Sequence, residues 1–118
     1  MFNLTANNLK IRLVIPATDL RKSFNGLGAV IRELHAGEAD PAYLYLFCNK
    51  NKNRLKALYY DRTGVFVTTK RLEQGTFSWP PQGHPDEQVM PLTSEALQLL
   101  IDGVDLRGAQ LREWYRAA

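Results

Sequence analysis

The sequence predicts an α+β fold, a mainly antiparallel sheet of four to five strands with one or two helices packed on it. Three observations carry this expectation. Leu9 to Ile15 alternates apolar and polar residues with period two, the mark of a half-buried strand. Ala42 to Cys48 (AYLYLFC) is apolar throughout, as in a strand covered on both faces. Asn49 to Pro80 reads as strands joined by two turns that end in glycine, Asp61-Arg62-Thr63-Gly64 and Leu72-Glu73-Gln74-Gly75.

The elements follow in order. Met1 to Asn8 is polar and is expected to be a loose N-terminus. After the first strand, stopped by Pro16, Thr18 or Asp19 is expected to cap a helix running to about His35. Leu20, Phe24, Leu27, Ile31 and Leu34 form its apolar stripe, and Gly37 ends it. Gly26 and Gly28 lie inside this helix, where each costs up to about 1 kcal/mol relative to Ala. That cost points to close packing against a neighbour or to an approaching ligand. Gly37 to Pro41 is a turn.

In the hairpin region, turns with three-residue loops would put Tyr60 opposite Phe66 and Lys56 opposite Lys70. The second turn would put Arg71 opposite Phe77 and Thr69 opposite Trp79, giving a short strand at Thr76. Glycine at the turn ends suits a residue with positive φ. On this register the core face holds Leu55, Ala57, Tyr59, Val65, Val67, Phe77 and Trp79. The other face holds Arg54, Lys56, Thr68, Lys70 and Ser78, with Tyr60 and Phe66 at one end. A slip of one residue would exchange the faces. Residues 80–91 (PPQGHPDEQVMP) are expected to form an irregular linker. Thr93 caps a second helix, Ser94 to Asp102, which Gly103 stops, with Leu97, Leu100 and Ile101 inward. The tail, residues 104–118, ends in LREWYRAA, and its Trp114 and Tyr115 either dock on the core or contact a partner.

The chain has 118 residues, suited to a single domain, 1–118, with 45% apolar and 23% charged residues. Its net charge of +3 is unevenly placed. Residues 1–80 hold twelve basic and six acidic side chains, whereas residues 81–118 hold three and six. The lone Cys48 leaves no partner for an intrachain disulfide and no cysteine metal cluster, which fits a reducing compartment. No apolar run has the length of a membrane span and no signal peptide opens the chain, so the expected location is cytoplasmic, with no membrane partner.

Seven basic residues and one acid fall within 50–71. Basic side chains interleaved with aromatics suit a phosphate backbone. The plain alternative is a solvated face whose lysines discourage edge aggregation. Arg21 and Lys22, at the expected helix start, either form a phosphate seat with free N–H groups or simply point into water. The candidate nucleic-acid contacts are Arg21, Lys22, Arg54, Lys56, Lys70 and Arg71, with Tyr60 stacking on an unpaired base or packing on a partner.

Catalytic patterns are weak. His35 and His84 lack neighbours at metal-ligand spacing, and there is no Walker loop or serine elbow. The carboxylates Asp19, Asp61 and Glu73 fall at caps and turns, where local structure explains them. The residues therefore point to no enzyme, no cofactor, no metal and no small-molecule substrate.

Three ordered runs resemble one family: Asp19-Leu20-Arg21-Lys22-Ser23-Phe24-Asn25-Gly26-Leu27, Arg54-Leu55-Lys56-Ala57-Leu58-Tyr59-Tyr60-Asp61-Arg62-Thr63-Gly64, and Lys70-Arg71-Leu72-Glu73-Gln74-Gly75-Thr76-Phe77-Ser78-Trp79-Pro80. With Leu92-Thr93 and Asp102-Gly103-Val104-Asp105 they resemble the TnpB accessory proteins of bacterial insertion sequences of the sixty-six family. These are distinct from the RNA-guided nucleases of the same name. The resemblance spans Ile11 to Leu106. Asn25 stands where the family often has Asp, and residues 82–88 and those after Leu106 match poorly. The resemblance implies an accessory protein made beside a separate transposase and needed for efficient transposition, and it implies no known catalytic activity. Asp19, Arg21, Lys22, Arg54, Lys56, Asp61, Lys70, Arg71 and Trp79 fall on its motif positions without an assigned role. Two functions follow: non-catalytic binding of element DNA, or a protein–protein adaptor that holds the transposase through Tyr60 and Phe66 or through the tail. A metal-dependent nuclease is the third and weakest. The expected partners are DNA, the transposase and other element-encoded proteins.

Overall fold

The computed structural model describes residues 10–22, 24–35, 43–60, 63–81 and 88–104. The loose N-terminus, the Gly37–Pro41 turn, Asp61, Arg62, His84 and the tail with Trp114 and Tyr115 lie outside them. So do the side chains of Phe24, Leu34 and His35.

Five strands form one mixed sheet: β1 (Lys10–Val14), β2 (Tyr43–Cys48), β3 (Arg54–Tyr60), β4 (Val65–Arg71) and β5 (Val89–Leu92), in the order β4-β3-β2-β1-β5. Among the described residues, two helices, α1 (Phe24–His35) and α2 (Ser94–Ile101), join the sheet in an α+β fold. β1 and β2 are parallel, and the other three pairings are antiparallel. A parallel pair needs a crossover, and α1 supplies it.

Alternation along β2 explains its apolar sequence. Leu44, Leu46 and Cys48 point to one face and Tyr45 and Phe47 to the other, and all five are buried. On the first face they join Ile11, Leu13, Leu55 and Ala57 beneath Ala96, Leu97 and Leu100 of α2. On the second they join Val14 and Leu58 beneath Leu27 and Ile31 of α1. Each helix thus covers one side of a central sheet, and each buried Leu or Ile contributes roughly 1.5–3 kcal/mol. Thr93 caps α2 by accepting from Ala96 N–H at 3.0 Å. Beyond α2, Gly103 takes φ +74°.

Four expectations are corrected. First, α1 begins at Phe24, not at Asp19. The Asp19 side chain accepts the N–H of Arg21 at 3.0 Å, closing a turn rather than capping a helix. Second, Tyr60 pairs with Val65, so the turn holds four residues, 61–64, and the β3–β4 register shifts by one. Lys56 faces Thr69, Leu55 faces Lys70 and Tyr59 faces Phe66. Val65 and Val67 therefore move to the α1 face, and Lys70, Thr68 and Phe66 to the α2 face. Gly64 lacks the expected positive φ, whereas Gly75 has it at +78°.

Third, there is no strand at Thr76. Phe77 and Trp79 are buried, but as plugs from an irregular segment. Leu72 N–H donates to Asn53 O, Phe77 N–H to Lys52 O, and the Trp79 indole N–H to Val14 O at 3.0 Å. Fourth, the stretch expected to be irregular up to Pro91 ends in strand β5, which pairs with β1. Pro91 is tolerated because β5 is an edge strand.

Candidate nucleic-acid interface

β1 and β2 run parallel, so their carboxyl ends lie at one edge of the sheet. In open sheets of this kind, ligands collect outside the carboxyl ends of parallel strands. Here the chain leaving β1 folds back over the end of β2, with Thr18 N–H donating to Cys48 O at 2.8 Å. The turn from β2 to β3 is held by Asn49. Its carboxamide oxygen accepts from the N–H groups of Asn53 and Arg54, and its NH2 donates to the Asn53 side chain at 2.7 Å. Lys52 adopts φ 59° within this turn.

Between these two segments is an open groove of about 690 Å³. Residues 17–21 form one wall, Asn49, Lys50 and Asn51 another, and Arg54, Lys56 and Thr69 the sheet side. Four basic side chains line it: Arg21, Lys50, Arg54 and Lys56. Arg71 extends the cluster, because it faces Arg54 across the β3–β4 pair. The expected like-charge pair on this sheet thus exists, but it is Arg54–Arg71 and not Lys56–Lys70. Opposed like charges destabilise a sheet unless an anion or solvent screens them.

Among the described residues, one acid sits among these cations. Asp19 binds the Arg21 guanidinium with both oxygens, at 2.9 Å to Nε and 2.8 Å to Nη2. The Arg21 side chain and then its backbone N–H hold the Asp19 carboxyl well below the usual carboxylate range. The carboxylate in turn raises the guanidinium pKa. Arg21 therefore faces the groove already paired.

The remaining candidates divide. Lys22 does not line the groove; its carbonyl accepts from Lys56 Nζ at 3.2 Å, and its side-chain stem lies against Gly26. A Cβ on Gly26 would stand 2.9 Å from Lys22 Cβ, so packing accounts for that glycine. Tyr60 shares the α1 face with Arg54 and Lys56 but is half-buried. Its hydroxyl would lie 3.4 Å from a Cβ on Gly28, so it meets the helix. Lys70 is on the opposite face, donating to the Ile101 carbonyl at the end of α2 (2.8 Å). Tyr60 and Phe66 are on different faces, and the aromatic stack is Tyr59 with Phe66, centroids 6.4 Å apart. Lys50, Asn51 and Thr69 are not among the contacts expected from sequence; the polar run NKNKN is the signal for Lys50 and Asn51. Among the described residues, no three His, Cys, Asp or Glu side chains converge, and no helix is long and apolar enough to cross a membrane.

Comparison with known proteins agrees with the motifs. The family model described as IS66 Orf2 like protein matches residues 9–111. The uncharacterised protein y4jC of Sinorhizobium fredii (strain NBRC 101917 / NGR234) is 28% identical over 100 residues, covering 85% of this chain and 83% of its own. The uncharacterised protein y4hO of the same organism is 26% identical over 106 residues, covering 90% of each chain. No solved structure matches significantly. With a family model spanning β1 to beyond α2, this chain belongs to the IS66 Orf2-like family.

Proposed function

We propose that this protein assists transposition by binding DNA phosphates, without catalysis, in the groove at the carboxyl ends of β1 and β2. Family membership implies a transposition-associated accessory role. The observation that supports DNA as the ligand is the convergence of Lys50, Arg54 and Lys56, with Arg71 beside them, from three separate segments. Those segments are fixed by backbone hydrogen bonds, so the charges are held at one edge, and among the described residues there is not an acid for each. Element-encoded proteins, the transposase first, are the other proposed partners, and the cytoplasm is the proposed location.

The test is a fluorescence anisotropy titration with terminal DNA of the element and a shuffled control, at several salt concentrations. About four cations without an acidic partner give a slope of log K against log salt of roughly −3 to −4. Arg54→Ala with Lys56→Ala lowers that slope by about 2 while leaving the melting curve in place. No binding at low salt, or a slope the double substitution does not change, would overturn the proposal and favour an adaptor without DNA contact.

A further inference from the structure

The run Asn49-Lys50-Asn51-Lys52-Asn53 holds three asparagines, and the structure uses them in two ways. Asn49 and Asn53 commit their side chains to the turn. The Asn49 oxygen accepts the N–H groups of Asn53 and Arg54 at 3.0 and 3.1 Å, and its NH2 donates to the Asn53 oxygen. Backbone bonds complete the frame. Lys52 N–H donates to Asn49 O at 3.1 Å, which makes Lys50 and Asn51 the two central residues of a β-turn. Behind the turn, Phe77 N–H donates to Lys52 O at 2.7 Å and Leu72 N–H to Asn53 O at 2.9 Å, and the Phe77 side chain is buried. Asn51 is exposed at the tip of this frame and lines the groove with Lys50, Arg54 and Lys56.

These are the parts that sequence readout needs. Cations fix a protein on a phosphate backbone but carry no information about the bases. Base edges are read by groups of fixed geometry. A carboxamide offers a donor and an acceptor side by side, the complement of adenine N7 and the adenine N6 amino group in the major groove. A lysine reaches a phosphate on a flexible stem and gains little from a rigid turn. A short side chain reads a base only from a backbone that is held in place, as residues 49–53 are here. We propose, resting on the reading that this groove binds DNA, that Asn51 reads an adenine. Its Nδ2 donates to N7 and its Oδ1 accepts from the N6 amino group, while Lys50, Arg54 and Lys56 hold the flanking phosphates. The ligand class narrows from any polyanion to duplex DNA with an adenine at one position of the site.

Changes in the DNA and in the side chain test this together. The probes are labelled terminal DNA of the element, its shuffled control, and the terminal DNA with 7-deazaadenine in place of adenine. That base keeps Watson–Crick pairing but lacks the N7 acceptor. A good bidentate pair corresponds to a preference of roughly 5- to 140-fold, and wild type is expected to favour the terminal DNA within that range. Asn51→Ala is expected to lose the preference and to keep the wild-type salt slope, which the cations set. Lys52, not Asn51, takes the positive φ of the turn, so Ala is accepted at 51 and the melting curve is kept. The 7-deazaadenine probe is expected to bind wild type several-fold more weakly and Asn51→Ala no differently from terminal DNA. Wild type that binds terminal and shuffled DNA alike, or that ignores the 7-deaza change, would overturn the adenine reading and leave phosphate binding in place. So would a preference that survives in Asn51→Ala. No binding of any of the three DNAs at low salt would instead overturn the phosphate reading, and this inference with it.

Discussion

Replacing Asp19 by Asn is expected to strengthen DNA binding. The carboxylate occupies both faces of the Arg21 fork, at 2.8 and 2.9 Å, and so withholds one of the four cations that line the groove. Asn keeps an oxygen for the Arg21 N–H, the bond that closes the turn, but removes the charge. The Arg21 side chain is 91% exposed, free to swing to a phosphate once released. One more neutralised phosphate steepens the slope of log K against log salt by about 0.9, a gain of roughly eightfold at about 0.1 M salt. Arg21→Ala alone leaves the Asp19 carboxylate unpaired in the groove and is expected to weaken DNA binding, and it cancels the gain when combined with Asp19→Asn. Acid does not substitute for the mutation. The carboxyl's depressed pKa means that the pair is intact above the ordinary aspartate value and is lost only as pH falls through the lowered one. Between about pH 5 and 8 Asp19 therefore contributes no pH dependence. The assay is the same anisotropy titration, with circular dichroism to confirm an unchanged fold. Equal or weaker binding by a folded Asp19→Asn protein, with an unchanged salt slope, would refute the view that Asp19 masks a phosphate contact.

Two further outcomes are expected from the core. Trp79→Phe leaves the buried Val14 carbonyl without its indole donor, and should lower the urea-unfolding free energy by about 1–3 kcal/mol. Burial pushes the Cys48 thiol from 9.0 up to about 12, so above pH 9 the unfolded chain gives up a proton that the folded one keeps. Wild type should then lose up to about 1.4 kcal/mol per pH unit relative to Cys48→Ala, and parallel pH profiles for the two proteins would contradict this.

Much of the fold is legible from local pattern. The alternation of β1, the two-sided apolar run of β2 and the Thr93 cap of α2 each have one physical reading, and the structure agrees with each. The failures occur where one local signal serves two geometries. Asp-Arg-Thr-Gly closes a loop of three residues or of four, and the difference exchanges faces for every residue of β4. Asp19 followed by basic residues suits a helix cap or a side-chain turn, and the bidentate bond to Arg21 is local to the turn. Phe77 and Trp79 alternate as in a strand, but what fixes them is long-range: Lys52 and Val14 carbonyls. Pro91 argues against a strand in any sequence reading, and only the position of β5 at an edge permits it. The candidate site was half legible for the same reason. Arg21, Arg54 and Lys56 come together, whereas Lys70 leaves for the other face with the register.

The placement of β5 also shapes how the molecule is made. β2, β3 and β4 are consecutive neighbours and can pair as they leave the ribosome, while β1 waits for α1 and β2. Its other edge stays open far longer, since Ile11 meets Leu92 and Leu13 meets Met90. A nascent or truncated chain ending before Val89 presents β1 as a bare edge beside an uncovered apolar face, because α2 is missing too. Such chains are substrates for chaperones and aggregation. β5 and α2 thus seal the sheet, and a chain stopped ahead of them would leave both the β1 edge and the α2-side core face uncovered.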